Sequence, residues 1–245
     1  MKRALRILLL SLALGLASLG ARGQSGVEIC FPINIDFWYN ESVILKLKGQ
    51  SAPFEGFLKT PVHQNPYEIK FRQGNSKRAK KYSTEDIEYL EIVMEDADNI
   101  KLVPKEITFV PGSVPRIFHY RHPLLVQEVY SGEHVKCFTR YFVSDEGEYM
   151  SDNLAYYYQK AGSEDVTYYW KKEIGTRTHI IGGKAYLKKA FGEFPGLVEA
   201  IDSGAYDPKE FAANPASVIV YLEEFILSED SLDAEAQKEL RERLF

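Results

Sequence analysis

The sequence predicts an α+β protein in which an antiparallel β-rich body, either a barrel or a sandwich, precedes a small helical C-terminal region. From Ile33 to about Trp170, short segments rich in Val, Ile, Phe and Tyr are broken by Gly, Pro, Asn and Asp, which is typical of strands. After Gly183 the apolar residues recur at helical spacing. Strands grouped before helices exclude the alternating pattern of Rossmann and TIM folds.

Seven segments of the body have the composition of strands: Ser42–Lys48, Phe54–Leu58, Tyr67–Phe71, Ile107–Val110, Leu124–Tyr130, Val135–Val143 and Thr167–Ile174. The residues Ser131-Gly132-Glu133 predict a hairpin between the fifth and sixth of them. Ser83 is placed to cap a helical turn by accepting from the backbone N–H three residues on, because two acids follow it. The same pattern is compatible with a strand at Tyr89–Met94.

The C-terminal region contains apolar residues spaced for one helix face and proline pairs that begin helices. Pro195 restarts a helix, and the pairs Asp207-Pro208 and Asn214-Pro215 combine a cap with a first-turn proline. The core-facing positions are Leu187, Phe191, Phe194, Val198, Ile201, Val218, Leu222, Phe225 and Ile226. Asp230-Ser231 predicts the cap of a last helix.

The composition excludes several classes of protein. Hydrophobic residues make up 45% and charged residues 27% of the 245 residues, which excludes wholly disordered, collagen-like and coiled-coil chains. Two cysteines exclude a disulfide-dense scaffold and a multi-cysteine metal site.

Residues 1–23 predict a secretory signal peptide. Three basic residues precede the apolar stretch Ile7–Leu19, which is shorter than the roughly 20 residues that span a bilayer. Ala21-Arg22-Gly23 then provides small residues for cleavage before Gln24. We therefore expect export through the inner membrane to the periplasm or the extracellular space. The alternative is an uncleaved N-terminal anchor.

Cleavage would leave an acidic protein. Four basic residues and no acids lie in residues 1–23, so the formal net charge falls from −5 to −9. Such a protein repels nucleic acid over most of its surface. No later segment approaches 18 consecutive apolar residues, so we expect no transmembrane segment in the mature chain. The chain then divides into a signal peptide (1–23), a β-rich body (24–182) and a helical region packed on the body (183–245).

Three stretches resemble a group of uncharacterised secreted proteins of Gram-negative bacteria. They are Gly56-Phe57-Leu58 running to Tyr67-Glu68-Ile69-Lys70-Phe71, the element Lys81-Tyr82-Ser83-Thr84-Glu85-Asp86-Ile87, and Tyr168-Tyr169-Trp170-Lys171-Lys172 with the later Leu187-Lys188-Lys189-Ala190-Phe191. The resemblance implies a signal peptide, a β-rich body with a Tyr-Ser-x-x-Asp-Ile element, and C-terminal helices. It implies no activity, cofactor or catalytic residue.

Aromatic runs provide the candidate binding residues Trp38, Tyr157, Tyr169 and Trp170. The runs are Phe37-Trp38-Tyr39, Tyr156-Tyr157-Tyr158 and Tyr168-Tyr169-Trp170. Consecutive residues of a strand face opposite sides, so each run directs a ring away from the core or toward a second layer. Exposed Tyr and Trp rings can stack on a sugar or anchor a protein partner. The alternative is that an opposing sheet covers one face and the C-terminal helices cover the other.

The segment Lys77-Arg78-Ala79-Lys80-Lys81 places four cations in five residues. It can meet an anionic partner such as an envelope glycan or a phosphate group. The alternative is a solvated turn, since Gly74-Asn75-Ser76 precedes it. The segment lacks the interleaved aromatics of a nucleic-acid site, and we expect no nucleic-acid partner.

Metal binding and catalysis find little support in the residue patterns. His119 and His122 have the spacing of zinc ligands, but no acid lies between Pro111 and Val126 to complete a site, so we expect no metal. Cys30 and Cys137 are predicted either to pair in an oxidising compartment or to stay as separate thiols. We assign no catalytic residue and expect no cofactor.

These patterns favour a non-catalytic envelope protein that binds a protein or glycan through exposed aromatics. The first alternative is a hydrolase acting on an envelope or environmental polymer, with acid pairs drawn from Asp145, Glu146 and Glu148 or from Glu95, Asp96 and Asp98. The second is a structural protein whose apolar residues are all internal.

Overall fold

The computed structural model describes residues 42–62, 65–95, 98–109, 122–145, 150–174, 183–206, 211 and 213–226. The predicted signal peptide, Cys30, Trp38, His119 and the predicted last helix lie outside these residues. Within them the fold is α+β: strands form a β-rich body, and the helices come late in the chain, as predicted.

Eleven strands are present in this part of the chain: β1 Ser42–Leu47, β2 Phe54–Leu58, β3 Glu68–Gln73, β4 Lys80–Ser83, β5 Ile87–Ile92, β6 Ile100–Lys105, β7 Ile107–Phe109, β8 Leu124–Ser131, β9 Val135–Asp145, β10 Met150–Lys160 and β11 Val166–Glu173. They form one sheet in the order β4-β3-β2-β1-β5-β6-β8-β9-β10-β11-β7. All the described pairs are antiparallel except β7 with β11.

One strand closes half of this sheet into a barrel. Only Glu106 separates β6 from β7, so Ile100–Phe109 is nearly a single strand. Residues 102–105 of this segment pair with β8, and residues 107–109 pair with β11, at the far end of the sheet order. Strands β8 to β11 must therefore curve around until β11 meets the continuation of β6. We call the resulting unit, β6 to β11, the closed barrel.

One face of each strand lines the interior of the closed barrel. Because side chains alternate across a strand, every second residue points inward. The buried members of this core are Leu124, Val126, Phe138, Phe142, Ala155, Tyr157, Val166 and Tyr168. Tyr67, Val103 and Ile107 pack against them.

Strands β1 to β6 curl around a second core, and we call this unit the half-barrel. Its buried residues come from β1, β2, β3, β5 and β6, with Val62 and Leu125 added. Gly56 lets β2 and β3 approach closely within this unit. A Cβ on Gly56 would lie 2.6 Å from the Phe71 ring and 2.2 Å from the carbonyl oxygen of Arg72.

A third core joins the outside of the closed barrel to the helices. These helices are α1 (Gly183–Ala190), α2 (Pro195–Ser203) and α3 (217–226). Pro195 occupies the first turn of α2, and Gly204 ends the helix with φ 79°, a left-handed conformation that suits glycine. Leu187 of α1, Leu222 of α3 and Phe191, which directly follows α1, are buried in one core with Tyr156, Tyr158 and Tyr169.

Both a helical turn and a strand follow Ser83. A 3-10 turn at Thr84–Asp86 leads directly into strand β5, Ile87–Ile92, which begins two residues before the predicted Tyr89–Met94. Ser83 caps the turn by accepting from the backbone N–H of Glu85, two residues on and not three. The predicted hairpin is also present, since Gly132 donates to the Val135 carbonyl between β8 and β9.

Candidate functional site

Two of the four predicted binding aromatics are not exposed. Tyr157 is 1% exposed and Tyr169 is 0% exposed, so the expectation of exposed rings is wrong for both. The reason is that both faces of β10 and β11 are covered. Tyr157 points into the closed barrel, and Tyr169 points into the core beneath the helices.

Of the two predicted binding tryptophans, the structure describes Trp170 and not Trp38. Trp170 is partly exposed and packs its ring edge against Phe211, with ring centroids 4.8 Å apart. It belongs to the layer between the closed barrel and the helices. Trp38 lies outside the described residues. A binding role for these two residues stays a prediction.

The tyrosine hydroxyls beneath the helices are bonded to backbone carbonyls, which is how a core accommodates polar rings. Tyr169 donates to the Pro215 carbonyl at 2.9 Å. Tyr158 donates to the Ala190 carbonyl at 3.1 Å and to the Glu193 carboxylate at 3.0 Å. These bonds connect β10 and β11 to the helical region, so Tyr158 and Tyr169 help to hold the closed barrel and the helices together.

Cys137 is a buried free thiol in the same core. Its sulfur lies 3.5 Å from the Tyr169 hydroxyl oxygen. Burial raises the pKa of the thiol to about 12. Cys137 thus packs as a small residue of strand β9. Pairing with Cys30 stays a prediction because Cys30 lies outside the described residues.

We expect the free energy of unfolding to fall as the pH rises from about 9 to about 12. The unfolded thiol loses its proton near 9.0, whereas the folded thiol keeps it up to about 12, so the unfolded state binds fewer protons in this window. Burial raises the pKa of Tyr169 in the same direction. Urea unfolding at a series of pH values tests this. A smaller decline in Cys137→Ala is expected, and stability that rises with pH would contradict it.

The histidines and acids show no assembled site in the described part of the chain. His122 lies 2.7 Å from a Glu85 carboxylate oxygen and packs edge-on against Tyr67, and both members of the ion pair are exposed. No group of three His, Cys, Asp or Glu side chains could hold a metal ion among these residues. The two acid clusters fall partly outside them, so they remain untested.

The residue patterns gave no indication of a carboxylate held by a turn. Glu223 of α3 is 5% exposed and accepts backbone N–H groups from three consecutive residues of the β8–β9 turn. The donors are Glu133 at 2.7 Å, His134 at 2.9 Å and Val135 at 2.8 Å. A Cβ on Gly132 would lie 2.5 Å from a carboxylate oxygen, so glycine leaves the space that Glu223 occupies.

The outward side of the half-barrel carries the arrangement best suited to binding. Strand alternation and register place a set of side chains on the side opposite the half-barrel core. We call this set the outer face: Ser42, Ile44, Lys46, Glu55, Phe57, Glu68, Lys70, Arg72, Lys81, Ser83, Tyr89, Glu91 and Lys101.

An apolar stripe crosses the outer face diagonally. Phe57 on β2, Ile44 on β1 and Tyr89 on β5 are each partly exposed and lie in successive diagonal positions. A cation covers each ring. The Arg72 guanidinium carbon is 5.1 Å from the centroid of the Phe57 ring, and the Lys101 Nζ is 4.5 Å from that of Tyr89. These distances are those of cation–π contacts. We call these five residues the stripe.

The outer face is net positive on a net negative protein. It carries the five cations Lys46, Lys70, Arg72, Lys81 and Lys101 and the three acids Glu55, Glu68 and Glu91. Glu68 is paired with Lys81 at 2.7 Å. Glu91 accepts from Asn99 at 2.8 Å.

The basic segment identified in the sequence adjoins this face. Lys77, Arg78, Lys80 and Lys81 are all exposed, at the turn before β4 and on β4 itself. In the described sheet β4 pairs with β3 alone, so it is an edge strand. Lysines on an edge strand discourage pairing with other chains, which is a structural role for part of the segment. The segment also extends the positive charge of the outer face.

The chain matches no protein-family model, no curated protein and no solved structure. Among the described residues, no helix is both long enough and apolar enough to cross a membrane.

Proposed function

We propose that this protein is an exported, non-catalytic binding module of the bacterial envelope, and that its outer face meets an anionic partner. The observation that carries the proposal is the stripe: aromatic rings and cations combined on an exposed, net positive surface. The resemblance to secreted proteins of Gram-negative bacteria and the signal-peptide pattern of residues 1–23 support export to the periplasm or beyond.

In this proposal the stripe takes the binding role that sequence analysis assigned to Tyr157 and Tyr169. Partly exposed rings offer apolar contact area at a low cost in conformational entropy, and the adjacent cations attract negative charge. Because most of the protein is acidic, an anionic partner would be repelled elsewhere and attracted here. Charge complementarity of this kind selects the orientation of binding as well as the partner.

A panel of defined ligands tests the proposal. The purified protein is immobilised and offered acidic polysaccharides, phosphatidylglycerol vesicles and single-stranded DNA, each with a neutral counterpart. We expect retention of at least one anionic class, weakening as salt screens the charges. The double variant Phe57→Ala, Tyr89→Ala should lose this retention, whereas Phe194→Ala, which removes a partly buried ring beside the helices, should keep it.

Two outcomes would reject the proposal. One is that no anionic class is retained in preference to its neutral counterpart. The other is that the double variant, shown to be folded by an unchanged circular dichroism spectrum, retains ligand as well as the original protein does.

A further inference from the structure

Resting on the proposed function, we infer that the partner is a linear acidic polysaccharide whose carboxylates are spaced along the chain. Such a polymer would lie along the stripe from Arg72 to Lys101. Three features of the outer face each match one chemical group of this ligand class.

The first feature is the separation of the cations. Arg72 is on β3 and Lys101 is on β6, with β2, β1 and β5 between them. Four strand spacings of about 4.8 Å give roughly 19 Å along the curved sheet. A single small anion can reach one of these cations, whereas a polymer of several sugar units can reach both. Lys46 lies beside Tyr89 and adds a third cation.

The second feature is the pair of acids at the centre of the stripe. Glu55, Ile44 and Glu91 are direct neighbours across β2, β1 and β5. Ionised carboxylates accept hydrogen bonds and cannot donate them, so they suit the hydroxyl groups of a sugar. Glu91 already accepts from Asn99 through one oxygen, which leaves its other oxygen for a ligand.

The same acids disfavour the other anionic partners. Duplex DNA carries a charge about every 3.4 Å along each strand, so phosphates would face Glu55 and Glu91 as well as the cations. An anionic membrane presents negative charge across the whole face and meets the same repulsion. A polysaccharide with intervening neutral hydroxyls can place its carboxylates at the cations alone.

The third feature is the apolar surface between the charges. Phe57, Ile44 and Tyr89 are partly exposed, and they can pack against the C–H faces of sugar rings. Carboxylates on the cations, hydroxyls on the acids and ring faces on the apolar side chains together account for every residue of the stripe and its central acids.

Calorimetric titration with a six-unit hyaluronan oligomer, in which glucuronate alternates with neutral N-acetylglucosamine, tests the inference. We expect this oligomer to bind, and glucuronate monomer and neutral maltohexaose to bind at least tenfold more weakly. Arg72→Ala and Lys101→Ala should each lower the affinity for the oligomer about tenfold, as expected for one lost charge-assisted hydrogen bond. Lys189→Ala removes an exposed cation from helix α1 and serves as the matched control, with unchanged affinity expected.

The outcomes separate this inference from the proposed function. If vesicles or single-stranded DNA bind through the outer face and the hyaluronan oligomer does not, the polysaccharide inference is wrong and the binding module stands. If the monomer binds as tightly as the hexamer, the lengthwise placement is wrong. If no anion binds to the outer face, both are wrong.

Discussion

Replacing Tyr169 with alanine is expected to lower the free energy of unfolding by about 3–5 kcal/mol, the range measured for large aromatic truncations in cores. The side chain is 0% exposed and contacts the rings of Tyr156, Tyr158 and Phe191. The variant would also remove the hydrogen bond to the Pro215 carbonyl. Urea unfolding followed by circular dichroism measures the change.

Two further variants define the origin of the Tyr169 effect. Tyr169→Phe keeps the ring and removes the hydroxyl, so a loss of about 1–2 kcal/mol is expected from the unsatisfied carbonyl. Tyr89→Ala truncates a partly exposed tyrosine of the outer face and should cost less than about 1 kcal/mol. Equal losses for Tyr169→Ala and Tyr89→Ala would contradict the placement of Tyr169 in the core.

Replacing Glu223 with alanine is expected to cost about 3 kcal/mol, because three backbone N–H groups lose a charged acceptor. The effect should be local as well as global. Hydrogen exchange at the amides of Glu133, His134 and Val135 should accelerate, since these groups donate to the carboxylate.

An exposed acid on another helix provides the control for this variant. Glu199 is exposed on α2, and Glu199→Ala should change stability by less than about 0.5 kcal/mol. Glu223→Gln should fall between the two, because its amide keeps one acceptor oxygen and adds a donor that faces other donors. If exchange in the turn were unchanged in Glu223→Ala, the turn would not depend on the carboxylate.

The sequence was sufficient to predict the architecture, because the pattern of apolar residues within a single strand or helix indicates its type. The end of strand β1, Leu45-Lys46-Leu47, alternates apolar and polar residues, and α3 places Val218, Leu222 and Phe225 on one face, so their types could be recognised locally. Strand β10 was not predicted as an element. It is buried on both faces from Asn153 to Gln159, so it lacks alternation.

Strand β6 and the Glu223 contact were missed for different reasons. Pro104 lies within β6, and proline argues against a strand in sequence analysis. Glu223 meets a turn about ninety residues earlier in the chain, and no local pattern encodes such a distant hydrogen bond. The sequence did contain an indication of the stripe. Ile44, Phe57 and Tyr89 are apolar or aromatic residues at the solvent-facing positions of their strands, where polar residues are usual.

The near-continuous strand Ile100–Phe109 has a consequence for how the molecule folds. It contributes to both β-units, so neither core can be completed before this segment is in place. Its last residues pair with Val166 and Tyr168, so this pairing cannot form until those much later residues have been synthesised. Such distant pairing slows folding, because loop-closure entropy is lost before the contacts form. The two units should also unfold together in one cooperative transition, because opening either one disturbs the strand that both require.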